Sequence, residues 1–389
     1  MSTPDPKAIL DADNWDEVHQ RHPDVVDRLT AGVLRGDPLA QAVIDEMHSD
    51  GVHWRDLLHI LEAPEERIDR APRAFRSLLE TASVPPVWYE PSLVDAGANA
   101  LWRFGSLQQS TLYQSLIYGY QSPAFARSVA ATGELTDGTL NRLVRTGQWV
   151  AVATAPGLMA PGRRGWSDTV RIRLIHAMVR HFCLTESGWS VADWGEPINQ
   201  TYSALTISGG FLTLPLRVGK DLGIRYSRAE LEAIAQLWRW IGWVIGVDDD
   251  LLHTNLAGAQ QLFDVANELD FEPDATSKEL TLALFHKGFQ IGAGLPAPIA
   301  MALNATLKPA LATIFESAST RWLPPALAHK AGLTRTPLRH VVDAVRPVVR
   351  ARELARTAGL LGADQKVIER EMRFTFGSLG LDYDQAMAG

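Results

Sequence analysis

Apolar positions recur along this chain at spacings of three and four residues, and no extended stretch alternates apolar and polar residues strictly enough to predict a strand. The pattern predicts an all-α fold. Helices are expected over Asp24 to Leu34, Pro38 to Asp50, Val52 to Leu61, Ala71 to Ala82, Pro91 to Tyr118, Thr136 to Ala153, Ser167 to Glu186, Asn199 to Leu205, Arg228 to Ile245, Leu256 to Leu269, Ser277 to Lys287, Pro298 to Thr306 and Pro337 to Ala358. Pro and Gly cluster between them in "SVPPVWYEP" near 83, "TAPGLMAPGRRGW" near 154, "ISGGFLTLPLRVGK" near 207, "IGAGLPAP" near 291 and "RWLPPALAHKAGL" near 321, where breaks are expected. None of these is a long polar linker. The chain therefore reads as one structural unit over residues 71–389, preceded by a helical N-terminal extension over residues 1–70, with no internal repeat and no low-complexity segment. "TSKEL" at 276 has capping-box order, with Thr276 or Ser277 as N-cap, and Asn199 is a candidate N-cap further upstream.

Composition narrows the class. With 389 residues, 46% hydrophobic and 21% charged, the chain can bury a sizeable core. Its net charge of −8 is spread without acidic or basic blocks, which points away from nucleic acid and anionic membranes and toward a small-molecule ligand. The single cysteine, Cys183, excludes an intrachain disulfide, a CxxC redox pair, a cysteine zinc cluster and covalent c-type haem attachment. That usage fits a reducing cytosol, and the first residues carry no export signal. The most apolar run, "LWRWIGWVIGV" from Leu237, is too short for a membrane span and contains Arg239, so a cytoplasmic protein is expected. Twelve tryptophans suit either a packed core or the lining of a roomy apolar interior.

Two segments place cations on otherwise apolar helices. In "SDTVRIRLIHAMVRHF" from Ser167, a turn of about 100° per residue brings Arg173, His176 and Arg180 within roughly 100° of arc, while Leu174, Ile175, Met178 and Val179 cover much of the remainder. In "RLVRTGQWV" at 142, Arg142, Arg145, Thr146 and Trp149 share one face. A buried arginine is costly without an anion, and from Ala96 to Gly133 the chain has no Asp or Glu. A ligand bearing carboxylates next to an imidazole-seeking metal fits, and haem b is such a ligand. On spacing alone the same residues also fit surface ion pairs around a hydrogen-bonded core histidine.

Taken jointly, "RLVRTGQWV", "RIRLIHAMVRH" at 171, "WGEPINQTY" at 194 and "WRWIGWVIGV" at 238 resemble the DUF2236 group, which contains the latex clearing proteins and the MpaB-type oxygenases. The resemblance covers roughly Ala71 to Asn255. It implies a globin-like helical core with extra helices at each end and non-covalently bound haem b. It implies His176 as the iron ligand, with Arg142, Thr146, Arg173 and Arg180 bordering the haem, and Arg145 and Thr146 as candidates for the catalytic distal side. It further implies O2-dependent cleavage of an alkene into two carbonyl fragments at ferrous haem.

Two positions depart from the rubber-cleaving members. The basic residue of the first element is Arg145 rather than a lysine, and a guanidinium is a poor iron ligand. The upstream glutamate of those members has no counterpart between Asp95 and Glu134. A soluble unsaturated metabolite is therefore the expected substrate, rather than polyisoprene.

Other constellations read as structural. His181 lies about 140° around the helix from His176, too far to share a metal. Pro197 and Gln200 read as architectural. "VDDDLLHTN" at 247 is similar to the aspartate-rich magnesium site of terpene synthases, but Leu252 and His253 stand where the closing acid belongs, so Asp248 to Asp250 read as a helix N-cap. "GAGLPAP" at 292 lacks the Lys-Ser/Thr of a phosphate loop. The main alternatives to an oxygenase are a haem-binding gas sensor or carrier without turnover and a magnesium-dependent terpenoid enzyme.

Overall fold

The computed structural model describes residues 4–10, 12–131, 138–269, 272–288 and 297–388. Among the described residues it is helical throughout, with no strand, as the periodicity predicts. The elements that build the site are α1 (Pro38–Asp50), α2 (Pro91–Trp102), α3 (Thr139–Ala153), α4 (Arg164–Thr185), α5 (Gln200–Leu205), a π-helix (Thr206–Thr213), α6 (Leu214–Leu222), α7 (Arg228–Val244), α8 (Leu256–Glu268) and α9 (Val345–Thr357).

At the centre α2 crosses α7. The crossing is close because Gly97 has no side chain: a Cβ there would stand 2.3 Å from the Ala233 carbonyl oxygen. Much of the tryptophan content is core. Trp102, Trp166, Trp238 and Trp240 are fully buried, and three of their ring N–H groups meet backbone carbonyls: Trp102 donates to Thr154 at 2.9 Å, Trp166 to Ala82 at 3.3 Å and Trp240 to Met159 at 2.8 Å.

Several boundaries differ from the sequence expectation for identifiable reasons. The helix expected over Pro91 to Tyr118 divides, because Gly105 takes φ +42 and ends α2 before two short helices, Gly105–Thr111 and Tyr113–Gly119. The break expected at "ISGGFLTLPLRVGK" is not one. The chain stays helical through the π-helix, where Gly209 lets Phe263 pack against the backbone and Phe211 stacks on Trp238 at 5.0 Å. Asp274, not Thr276 or Ser277, caps the helix at 275, since its carboxylate accepts from the Ser277 amide at 2.9 Å. The reciprocal capping box stands instead at the start of α7, between Ser227 and Glu230. Asn199 caps α5 as expected, accepting from the Tyr202 amide at 3.0 Å. The start of the helix expected at Thr136, and "GAGLP" at 292–296, lie outside the described residues. No helix among the described residues is long and apolar enough to cross a membrane.

Candidate functional site

Helix α4 is built inside out. The arc that carries Arg173, Ala177 and Arg180 is buried, whereas Ile175, Met178 and Phe182 are exposed on the far side. Between these arcs runs a half-buried strip of Ile172, His176 and Val179, at helical spacings of four and three. The apolar circumference read from the sequence is therefore split between a buried and an exposed face, and the cations face inward.

The inward arginines find their partners within the chain. Arg173 makes a bidentate pair with Asp37, Nε to Oδ2 at 2.6 Å and Nη2 to Oδ1 at 2.9 Å, and its Nη1 lies 3.4 Å from the Val244 carbonyl. The same carboxylate accepts from the Ala40 amide at the start of α1. Arg180 donates through Nε to the Pro197 carbonyl at 3.1 Å and through Nη2 to that of Ile198 at 2.9 Å, with Glu196 3.9 Å away. Its buried Nη1 has no hydrogen-bond partner among the described residues. The anion inferred for these cations is thus supplied to Arg173 by the N-terminal part of the chain, which local sequence neighbourhood could not reveal.

Three backbone segments converge to form this frame. Gln200 donates to the carbonyls of Gly36 at 3.0 Å and Gly246 at 2.9 Å, and its side-chain oxygen accepts from the Asp248 amide at 2.9 Å. Gly246 has φ +96, and a Cβ there would stand 2.4 Å from Asp37 Oδ2. Ile198, whose carbonyl receives Arg180, is held at φ 50, a left-handed conformation unusual for a β-branched residue and costing about 1–3 kcal/mol. Pro197 and Gln200 are architectural, as expected, although their service to α4 was not foreseen.

His176 therefore sits half-buried beside the fixed cation of Arg180. Burial, and then the charge of Arg180, lower its pKa to about 4, against the opposing pull of Asp37. The lowered pKa favours the neutral imidazole, the form that can ligate a metal. His181 points elsewhere, stacking on His48 of α1 at 4.2 Å, which fits its structural reading.

Helix α3 is tied to α4 by Trp149, whose ring N–H donates to Thr169 Oγ1 at 3.0 Å, and Trp149 also meets Phe211 of the π-helix edge-on at 5.5 Å. Arg142 donates to the Tyr120 hydroxyl at 2.8 Å and lies over that ring. Thr146 is half-buried and Arg145 is exposed.

The residues fit haem b in three respects. His176 offers a neutral nitrogen, half-buried apolar side chains flank it along the helix, and Arg180 Nη1 is an unspent donor. The aspartate run does not fit magnesium. Asp248 and Asp250 pair with Arg35 at 2.9 and 3.0 Å, and Asp249 accepts from Trp88 at 3.0 Å. These carboxylates form a stapled turn rather than the expected helix N-cap, because Asn255 caps α8. His253, next to them, is buried and bonded on both ring nitrogens, to Ser208 and the Ala235 carbonyl, each at 2.8 Å. Among the described residues no group of three His, Cys, Asp or Glu side chains could hold a metal.

Residues 102–359 match the family model for the catalytic domain of ER-bound oxygenase mpaB/B' and rubber oxygenase, and the chain belongs to that family. A rubber oxygenase from a Streptomyces species is 24% identical over 287 residues; the match covers 68% of this chain and 65% of that relative's length. In three dimensions the chain is similar to latex clearing protein in its closed state, with a TM-score of 0.60 and 21% identity, over 87% of this chain and 88% of the other. The family and the helical fold expected from the four elements taken jointly are thereby met.

Proposed function

We propose that this chain is a cytosolic haem b oxygenase that uses O2 to cleave a carbon–carbon double bond in an unsaturated small molecule. The observation that carries the proposal is His176, a neutral imidazole held beside Arg173 and Arg180 within the family's catalytic region. When bound, ferrous haem supplies the O2 chemistry. The protein supplies the rest. His176 would hold the haem iron, Asp37 and Arg173 fix the helix that carries it, and Arg180 would offer its spare donor to an anionic edge of the cofactor. Arg142 and Thr146 on α3 would border the same cofactor, and Arg145 would donate to O2 or to a substrate carboxylate.

The test is O2 uptake by haemin-reconstituted protein over a panel of soluble alkenes and aromatic metabolites, with mass spectrometry for paired carbonyl fragments. Haem-dependent uptake with two fragments per substrate is expected. A reconstituted protein that consumes no O2 with any member and keeps a stable oxy complex would make it a gas carrier instead.

A further inference from the structure

The chain carries a net charge of −8, yet a surface hollow of about 400 Å³ is lined by Arg217, Lys220, Asp221, Arg225, Arg346 and Arg350. None of these belongs to the His176 helix. Arg217 and Lys220 sit one turn apart on α6, Arg346 and Arg350 one turn apart on α9, and Arg225 follows α6 in the connecting loop.

The single carboxylate does not neutralise this hollow, because it is already engaged. Asp221 receives Nε and Nη2 of Arg321 at 2.5 and 3.0 Å, Nη2 of Arg346 at 2.7 Å and the ring N–H of Trp322 at 3.1 Å. Arg217 is balanced by Asp264 at 2.6 Å. Lys220, Arg225 and Arg350 pair with no carboxylate among the described residues.

Two of the arginines are also oriented by backbone rather than left to solvent. Arg225 Nη1 donates to the carbonyls of Lys220 at 2.7 Å and Ile224 at 2.9 Å, and Arg346 Nε donates to that of Asp221 at 2.8 Å. Arg346 Nη2 is already committed to the carboxylates of Asp221 at 2.7 Å and Asp343 at 3.3 Å, so it is the anchored Arg225 whose remaining N–H groups are set for a ligand, and such forks match phosphate oxygens. Unbalanced cations around one hollow repel each other unless an anion of matching charge joins them. A multiply charged phosphate answers that arrangement better than a monovalent ion does.

We propose that the hollow between α6 and α9 is a binding site for a phosphate-bearing polyanion, of the diphosphate-ester class. The chemistry could reach the site as a soluble ester or as a lipid headgroup. The inference does not depend on haem.

The experiment titrates inorganic pyrophosphate into the full chain by calorimetry at low and raised salt, for the wild type and the Lys220→Ser, Arg350→Ser double variant. Neither side chain makes a hydrogen bond among the described residues, so the double variant should keep its melting temperature without ligand. Saturable binding that weakens with salt, and falls at least about ten-fold in the variant, is expected. Sedimentation with phosphatidylcholine vesicles, with and without phosphatidic acid, separates the sources. Pyrophosphate binding without vesicle capture assigns a soluble ester, and capture only by the phosphatidic acid vesicles, lost in the variant, assigns a headgroup. No binding in either arm, or binding that survives both substitutions, overturns the site.

Discussion

Asp37 and Arg173 form a bidentate ion pair inside the protein although 136 residues separate them in sequence, and the arginine lies one turn from His176. Both side chains are almost wholly removed from water, so removing either one would leave the other's charge buried without its bidentate partner. The N-terminal part of the chain thereby helps position the candidate ligand helix.

Asp37→Asn removes one charge and leaves the guanidinium buried. A loss of about 3–5 kcal/mol of stability is expected in urea denaturation, as for other broken buried pairs. Replacing both partners by apolar residues should recover much of it, because no orphaned charge remains. A single variant as stable as the wild type would show that the pair is not a determinant of the fold.

Gly246→Ala tests the same junction from the backbone side. The residue has φ +96, and its new Cβ would press on both Asp37 and Arg173. Gly51→Ala is the control, since φ is +69 there but nothing lies within 4 Å. The control should lose about 1 kcal/mol from strain alone. The Gly246 variant should lose clearly more in the same melts, and equal losses would mean the junction relaxes freely.

His253 gives a pH dependence with a definite sign. Burial lowers its pKa to about 4, while the unfolded chain titrates near the ordinary 6.5. The unfolded state therefore binds the extra proton between these values, and apo-protein stability falls as pH drops from about 6.5 to about 4. His253→Gln can keep both hydrogen bonds without titrating. Its melting curve should be flatter across that window by up to about one proton's worth of slope, and an unchanged slope would contradict the assignment.

Arg145→Leu separates binding from turnover. The side chain is exposed and assigned to the distal side, so haem content should stay at the wild-type level while O2 uptake with substrate falls about ten-fold or more. If both stay unchanged, Arg145 has no distal role.

Much of the fold was legible because helical periodicity and caps are local. Asn199 was recognisable as a cap, and the cores of α3, α4, α7 and α8 were placed to within a few residues. The failures share a physical cause, tertiary contact overriding a local signal. Two glycines in "ISGGF" read as a break, yet Phe263 and Trp238 hold that stretch as a π-helix. At the site, the Arg-His-Arg face was visible, but Asp37 was not, since Asp-Pro at 37 signals only a helix start. Nor could sequence indicate that Ile198 adopts a left-handed conformation to present a carbonyl to Arg180.

The central claim is that His176 holds haem b. The most direct test is the ultraviolet-visible spectrum of purified, haemin-reconstituted protein, oxidised and dithionite-reduced, for the wild type and His176→Ala. A haem b Soret band in the wild type that is lost or strongly shifted in the variant is expected. A wild type that takes up no haem, or a variant with an identical spectrum, would contradict it.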